Sequence, residues 1–358
     1  MARFSEVLTI INGRNQKQVE NPTGQYPIYG SGGIMGYADA YLCEAETVVI
    51  GRKGTINKPI YVEVPFWNVD TAFGLYAHKD KLLPKYLFYF CEMFDFEKLN
   101  TTVTIPSLTK ANLLNIDIPL PPLEIQRRIV AVLDKVNDLI SFRKQQLVKL
   151  DKLVKARFVE LFGDPISNPN GWKTEKAETH IDLLSGFPFD SSQYTESGVN
   201  ICGGLIIMPQ RIAWNDCKHW CSIEGYEEYT LRKNDIVIAL DRPWISEGFK
   251  IAMVDAEHLP ALLIQRTARI RAIGINQFYL MYCFLLGGFD KHCNVTGSLV
   301  PHISAKDIRS FSIMLPPMEL QEQFAAFVEQ TDKSKLAVQQ SLDKLELLKK
   351  NLMQKYFG

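Results

Sequence analysis

No apolar run in this chain approaches the roughly 20 residues needed to span a bilayer. The opening Met1-Ala2-Arg3-Phe4-Ser5-Glu6 lacks the apolar core of a signal peptide, so a cytoplasmic location is the expectation. Cysteine is sparse. Seven residues, odd in number and scattered, suit a reducing compartment better than a disulfide framework. The one close pair, Cys217-Lys218-His219-Trp220-Cys221, has no second pair with which to complete a four-ligand zinc site. An excess of one charge is missing as well, because 40 Lys/Arg balance 40 Asp/Glu. There is thus no global basic signature of a nucleic-acid binder. Also absent are a P-loop, an Asn/Asp-Pro-Pro-Tyr/Phe methylation motif and a nuclease-type cluster of carboxylates and lysine. The six His residues show no metal-ligand spacing. A hydrolase built on Asp70 or Asp241 would lack a base, nucleophile or metal to work with, so an enzyme reading has little support.

What is present is a repeat. Ile118-Pro119-Leu120-Pro121-Pro122-Leu123-Glu124-Ile125-Gln126 returns as Ile313-Met314-Leu315-Pro316-Pro317-Met318-Glu319-Leu320-Gln321. The offset of 195 holds without a gap to Phe162-Gly163 and Phe357-Gly358. It reaches upstream to Ile105-Pro106-Ser107-Leu108-Thr109 and Val300-Pro301-His302-Ile303-Ser304, before which the halves diverge. At 358 residues, 46% hydrophobic and 11% aromatic, the chain can bury two cores.

The repeated segment reads as a long helix. Its apolar residues step by four and three through Ile129, Leu133, Val136, Ile140, Leu147, Leu150, Val154 and Leu161, interrupted by Arg143 and Arg157. In the second copy the seam is Phe324, Val328, Val338, Leu342, Leu345, Leu352 and Tyr356, weakened by Thr331, Lys335 and Lys349. A heptad stripe of this length predicts a coiled coil, with each helix the other's partner. Pro-Pro pairs fix both starts, Glu124 and Glu319 suit the first turn, and Phe-Gly ends both copies. Between 121 and 162, nine Lys/Arg face five Asp/Glu, making the first helix the basic element.

The segments between the helices are rich in short β-prone runs and turns. Thr47-Val48-Val49-Ile50 and Pro59-Ile60-Tyr61-Val62 read as strands, and Pro84-Lys85-Tyr86-Leu87-Phe88-Tyr89-Phe90 as a buried helix. Residues 235–242 parallel residues 46–52, which matches Arg242 with Arg52, and Tyr279-Leu280-Met281-Tyr282 parallels Tyr86-Leu87-Phe88-Tyr89.

At this point the sequence resembles the specificity subunit of type I DNA restriction–modification systems over nearly its whole length. The resemblance rests on the repeated Leu-Pro-Pro-Leu-Glu-Ile-Gln block and on landmarks in order. These are Ile10-Ile11-Asn12-Gly13, Gly51-Arg52-Lys53-Gly54-Thr55-Ile56 and Phe66-Trp67-Asn68-Val69-Asp70-Thr71, then Leu184-Ser185-Gly186-Phe187-Pro188-Phe189 and Ala239-Leu240-Asp241-Arg242-Pro243. One departure is the second segment's longer lead-in, which contains Gly171-Trp172.

The resemblance implies an α+β chain with two α/β target-recognition domains of mixed sheets, at 1–117 and 164–312. They are separated by helices at 118–163 and 313–358 that form an antiparallel coiled coil with pseudo-two-fold symmetry. It implies no catalysis and no cofactor in this chain. The implied partners are double-stranded DNA, two methyltransferase subunits carrying S-adenosylmethionine, and a restriction subunit using ATP and magnesium, with no membrane. Base readout needs Arg, Lys, Asn or Gln on exposed loops, with hydroxyls near phosphates. Candidates are Ser31, Arg52, Lys53, Thr55 and Asn57, then Arg242, Trp244, Lys250, Gln265, Arg266 and Ser298. The structural alternatives are ion pairs of Arg52 and Arg242 with Asp70 and Asp241, a core place for Trp244, and the end of a core strand for Gln265-Arg266. Competing readings are a protein-binding scaffold without DNA specificity and a recognition subunit of a methylation-only complex.

Overall fold

A computed structural model describes residues 1–99, 107–293 and 302–358. The chain divides into two compact units, Met1–Gln146 with Val338–Gly358, and Leu147–Ala337. The division falls inside both long helices, not at the ends expected from the repeat, so each helix contributes a part to each unit.

The first unit runs β1 (Ala2–Arg3), α1 (Phe4–Val7), β2 (Leu8–Asn12), β3 (Tyr26–Gly30), β4 (Gly33–Ala38), β5 (Thr47–Gly51), β6 (Ile60–Val62), β7 (Trp67–Asn68), β8 (Ala72–Ala77), α2 (Pro84–Met93), α3 (Lys110–Leu114), β9 (Asp117–Ile118) and the start of α4 (Leu123–Phe162). In the second unit follow β10 (Thr174–Lys176), β11 (Ile181–Ser185), β12 (Val199–Cys202), β13 (Ile207–Met208), β14 (Arg211–Ile212), β15 (Lys218–Trp220), β16 (Ile236–Ala239), β17 (Trp244–Ile245), β18 (Gly248–Phe249), β19 (Ile251–Met253), β20 (Ala261–Leu263) and β21 (Thr267–Ala272). Then come α5 (Gln277–Leu286), α6 (Phe289–His292), α7 (Ala305–Ser310), β22 (Ser312–Met314) and α8 (Met318–Phe357).

Sheet topology repeats with the sequence. The first unit has a four-stranded sheet β2-β8-β5-β6, and the second has β11-β21-β16-β19 in the same places. All pairs in these sheets are antiparallel. Mixed pairing is confined to the three-stranded sheets, where β3 is antiparallel to β4 and parallel to β7, and β12 is antiparallel to β15 and parallel to β20. β1 pairs with β9 as β10 pairs with β22, so Ala2-Arg3 occupies the place that the longer lead-in feeds in the second unit. There Trp172 donates from its indole to the Phe162 carbonyl at 2.8 Å. α2 and α5 are apolar and buried as expected, with Tyr86 and Tyr279 fully buried at matching places.

α4 and α8 are 40 residues each, about 60 Å at 1.5 Å per residue. Within each unit their halves run antiparallel. In the first unit Lys144 meets Glu346 at 2.9 Å, and Ile129 and Leu133 share a core with Met353 and Phe357. In the second, Lys335 meets Asp151 at 2.7 Å, and Phe158 lies 5.3 Å from Phe324, ring to ring. The polar interruptions in the seam are used. Thr331 bonds the Phe327 carbonyl, Lys335 pairs with Asp151, and Lys349 pairs with Glu92. Arg157 covers the Phe327 ring at 5.8 Å. Along the expected seam Ile140, Leu147, Leu150, Leu161, Val338, Leu345, Leu352 and Tyr356 are half-buried. At the end of α4 Leu161 packs against the second unit's core, in which Phe158 and Phe162 are fully enclosed.

The Pro-Pro-x-Glu-x-Gln block has a structural explanation. Gln126 and Gln321 are buried, and the side-chain carbonyl of each accepts the backbone N–H of the residue that caps α2 or α5, Leu83 or Asn276, both at 2.9 Å. The Gln126 amide donates to Lys81 and Pro121 carbonyls, and that of Gln321 to Pro316. The Tyr86 and Tyr279 hydroxyls donate to Pro119 and Met314 carbonyls at 3.0 Å. The repeat therefore fastens each sheet-and-helix core to a long helix. Gly163 ends α4 with φ 79°, as its position predicts.

Candidate nucleic-acid interface

In the first unit the candidates converge on two neighbouring turns. The loop after β5 is held from both sides: Arg52 donates its N–H to Thr71 and accepts from Leu108 through its carbonyl, at 2.8 and 2.9 Å. Ile56 anchors the loop in the core. A Cβ on Gly51 would lie 2.1 Å from the Thr55 carbonyl and 2.9 Å from the Ser31 Cβ, so glycine is what lets the β3–β4 turn touch this loop. The result leaves Arg52, Lys53, Thr55 and Asn57 exposed and Ser31 half-buried. The Arg52 guanidinium lies over the Phe73 ring at 5.8 Å, and no Arg52–Asp70 ion pair is found among the described residues. Asn57 is committed locally, donating to Asp95 and accepting from Phe96 N–H.

The landmarks that flank the loop are supports. A Cβ on Gly13 would sit 1.8 Å from the Val69 carbonyl oxygen, and one on Gly186 would sit 1.9 Å from that of Ile264. Asn68 is fully buried between the Cys43 thiol and the carbonyls of Ile11 and Ala72. Arg14 is exposed beside the first landmark, with its carbonyl accepting from the Trp67 indole.

In the second unit strand register revises the expected match. Gly51 pairs with Ala72 as Ala239 pairs with Thr267. Leu240 N–H bonds the Arg266 carbonyl and the Leu240 carbonyl accepts from Ile303, as Arg52 does with Thr71 and Leu108. Arg52 thus corresponds to Leu240, Lys53 to Asp241 and Gly54 to Arg242, not Arg52 to Arg242. Gly54 and Arg242 share a left-handed backbone, φ 77° and 45°. Asp241 is taken by Arg266 at 3.3 Å and His302 at 2.5 Å, not by Arg242.

Arg242, Gln265 and Arg266 are exposed, the last two in the turn between β20 and β21. Trp244 is half-buried and stacks on Phe249 at 5.2 Å. Lys250 is corrected outright: it is buried, and its ammonium donates to the Gly204 carbonyl, tying two loops together. Burial, with Arg242 nearby, holds its pKa below the ordinary lysine value. Ser298 lies outside the described residues. Among those described, no group of three or more His, Cys, Asp or Glu could hold a metal ion, and no helix is long and apolar enough to cross a membrane.

Two units with one topology, each presenting exposed Arg at matched loops, are the setting for the comparison with known proteins. The family described as type I restriction modification DNA specificity domain matches residues 1–152 and 221–347. This chain belongs to that family. It is 28% identical over 296 residues to the MjaVIII specificity subunit of Methanocaldococcus jannaschii, covering 77% of this chain and 70% of the relative. To the EcoAI specificity subunit of Escherichia coli it is 30% identical over 202 residues, 53% of this chain and 34% of the relative. The fold is that of the type I restriction-modification system S subunit from M. genitalium, with TM-score 0.64 at 16% identity, covering 100% of this chain and 95% of that one. A chain from a study of complex assembly in the type I system gives TM-score 0.56 at 20% identity, with 99% and 96% covered. Members of this specificity family serve DNA-sequence recognition.

Proposed function

We propose that this chain is the non-catalytic subunit that reads the DNA target of a type I complex, each unit reading one half of an asymmetric, split site. The observation that supports this best is the pairing of one scaffold with unlike loop chemistry. Arg52, Lys53 and Gly54 stand where the second unit has Leu240, Asp241 and Arg242, and Ser31 stands beside Gly51 as Gly204 stands beside Ala239. Base edges in the major groove are told apart by donors, acceptors and one methyl group, so unlike loops select unlike sequences.

In this reading α4 and α8 set the spacer and dock two methyltransferase subunits, which carry S-adenosylmethionine; a restriction subunit with ATP and magnesium joins them. With a net charge of +0, affinity leans on a few local cations and on the partners closing around the duplex. The test is to map methylated adenines in cells carrying this chain and its methyltransferase. A split, asymmetric motif is expected. Replacing residues 168–312 by the matching segment of another family member should change one half only, and a change in both or in neither overturns the proposal. Lengthening both helices by four residues adds about 6 Å, nearly two base pairs at about 3.4 Å each, so the spacer should grow.

A further inference from the structure

We infer that Leu205 is a specificity-determining side chain of the second unit, contacting the 5-methyl group of a thymine in the major groove of the half-site read by that unit. This rests on the DNA-recognition reading above. Leu205 is 88% exposed, more than any other large hydrophobic side chain among the described residues. Its position is nonetheless well held. The N–H groups of Ile206 and Ile207 both reach the Gly203 carbonyl, at 3.1 and 3.3 Å, and those two side chains fill the core. Of three consecutive aliphatic residues, the turn buries two and holds the first outward.

The neighbouring Gly204 fixes where Leu205 stands. A Cβ on Gly204 would lie 3.7 Å from both the Ala239 Cβ and the Arg266 carbonyl oxygen, and the Gly204 carbonyl receives the buried Lys250 ammonium. Leu205 therefore belongs to the same loop cluster as exposed Arg242, Gln265 and Arg266. Those three offer the polar groups that read guanine and adenine edges, whereas thymine's distinguishing mark is a methyl group, which an aliphatic side chain recognises. The turns align at Ser31 and Gly204, so the matching position in the first unit is Gly32, whose Cβ would meet nothing within 4 Å. Leucine is thus not required there by the scaffold.

The test uses the complex of this chain with its methyltransferase on duplexes carrying the mapped target. Each thymine of the second unit's half-site is replaced in turn by deoxyuracil, which removes only the methyl group. Binding should weaken about fourfold at one position, the worth of burying roughly one methyl. Leu205→Ala should abolish that difference and leave discrimination in the other half-site intact, with an unchanged thermal melt. Indifference to deoxyuracil at every position, a half-site without thymine, or an alanine variant that keeps the fourfold difference overturns the inference. If sequence-selective binding survives these outcomes, the recognition reading stands; if the unaltered complex shows none, both fail.

Discussion

The two units share their supports and differ in the residues those supports carry. Gln126 and Gln321, Tyr86 and Tyr279, and Gly13 and Gly186 do the same work at matching places. The sheet faces do not match. Strand register gives Gly74 and Tyr76 the places that Arg269 and Arg271 hold in the second unit, and Thr9 and Thr47 those of Asp182 and Asp235. In the second unit these form ion pairs, Arg269 to Asp182 at 2.5 Å and Arg271 to Asp235 at 2.6 Å, with both arginines also reaching carbonyls of residues 228 and 230. Among the described residues the first unit has no counterpart to that network. One backbone plan thus carries either a small, uncharged sheet face or an ionic one, and the ionic face leaves Arg269 Nε buried without a hydrogen-bond partner.

The comparison can be broken most forcefully at Asp235. Asp235→Ala leaves the Arg271 guanidinium unpaired and should cost about 3–5 kcal/mol in urea unfolding. Thr47→Ala at the matching place loses one hydrogen bond to the Glu44 carbonyl, worth about 1 kcal/mol. Equal losses would mean that the ionic face carries no special weight. Next in size are Gln126→Ala and Gln321→Ala. Each leaves a partly buried N–H without its acceptor and should cost roughly 1–3 kcal/mol; unfolding curves showing clearly unequal losses would contradict a common role.

The loops give a smaller, binding-only contrast. Lys53→Ala should weaken DNA binding by the complex at all sequences and lower the slope of log affinity against log salt by about one. Alanine in place of Asp241 should not lower that slope, because no cation is lost. Smallest of all is Gly32→Leu, expected to change stability by no more than about 0.5 kcal/mol, since the space there is open. A larger loss in thermal melting would show that the turn needs glycine.

Much of this was legible in local pattern. The heptad spacing located both helices and even their polar interruptions, because a 3.5-residue period records which face is buried. The Gly-Arg-Lys-Gly run correctly pointed to an exposed loop. That Arg52 corresponds to Leu240 and not to Arg242 was not recoverable from adjacent residues. Strand register decides it, and register depends on hydrogen bonds to β8 and β21, far away in the chain. Lys250 misled for a related reason: a lysine on a polar loop reads as exposed, and only the approach of the Gly204 carbonyl makes burial tolerable. Phe158 and Phe162, outside the expected seam, are fully buried because the second unit's aromatic core meets α4 there.

Local sequence was therefore sufficient for the repeat, the long helices, the family resemblance and the plan of two related units, since periodicity and turn chemistry are written in neighbouring residues. Tertiary contacts alone decided which loop positions correspond, which cations are free to meet a ligand, and that Leu205 is held outward beside Arg266. Those outcomes depend on which distant backbone groups approach one another, and no short stretch of residues carries that information.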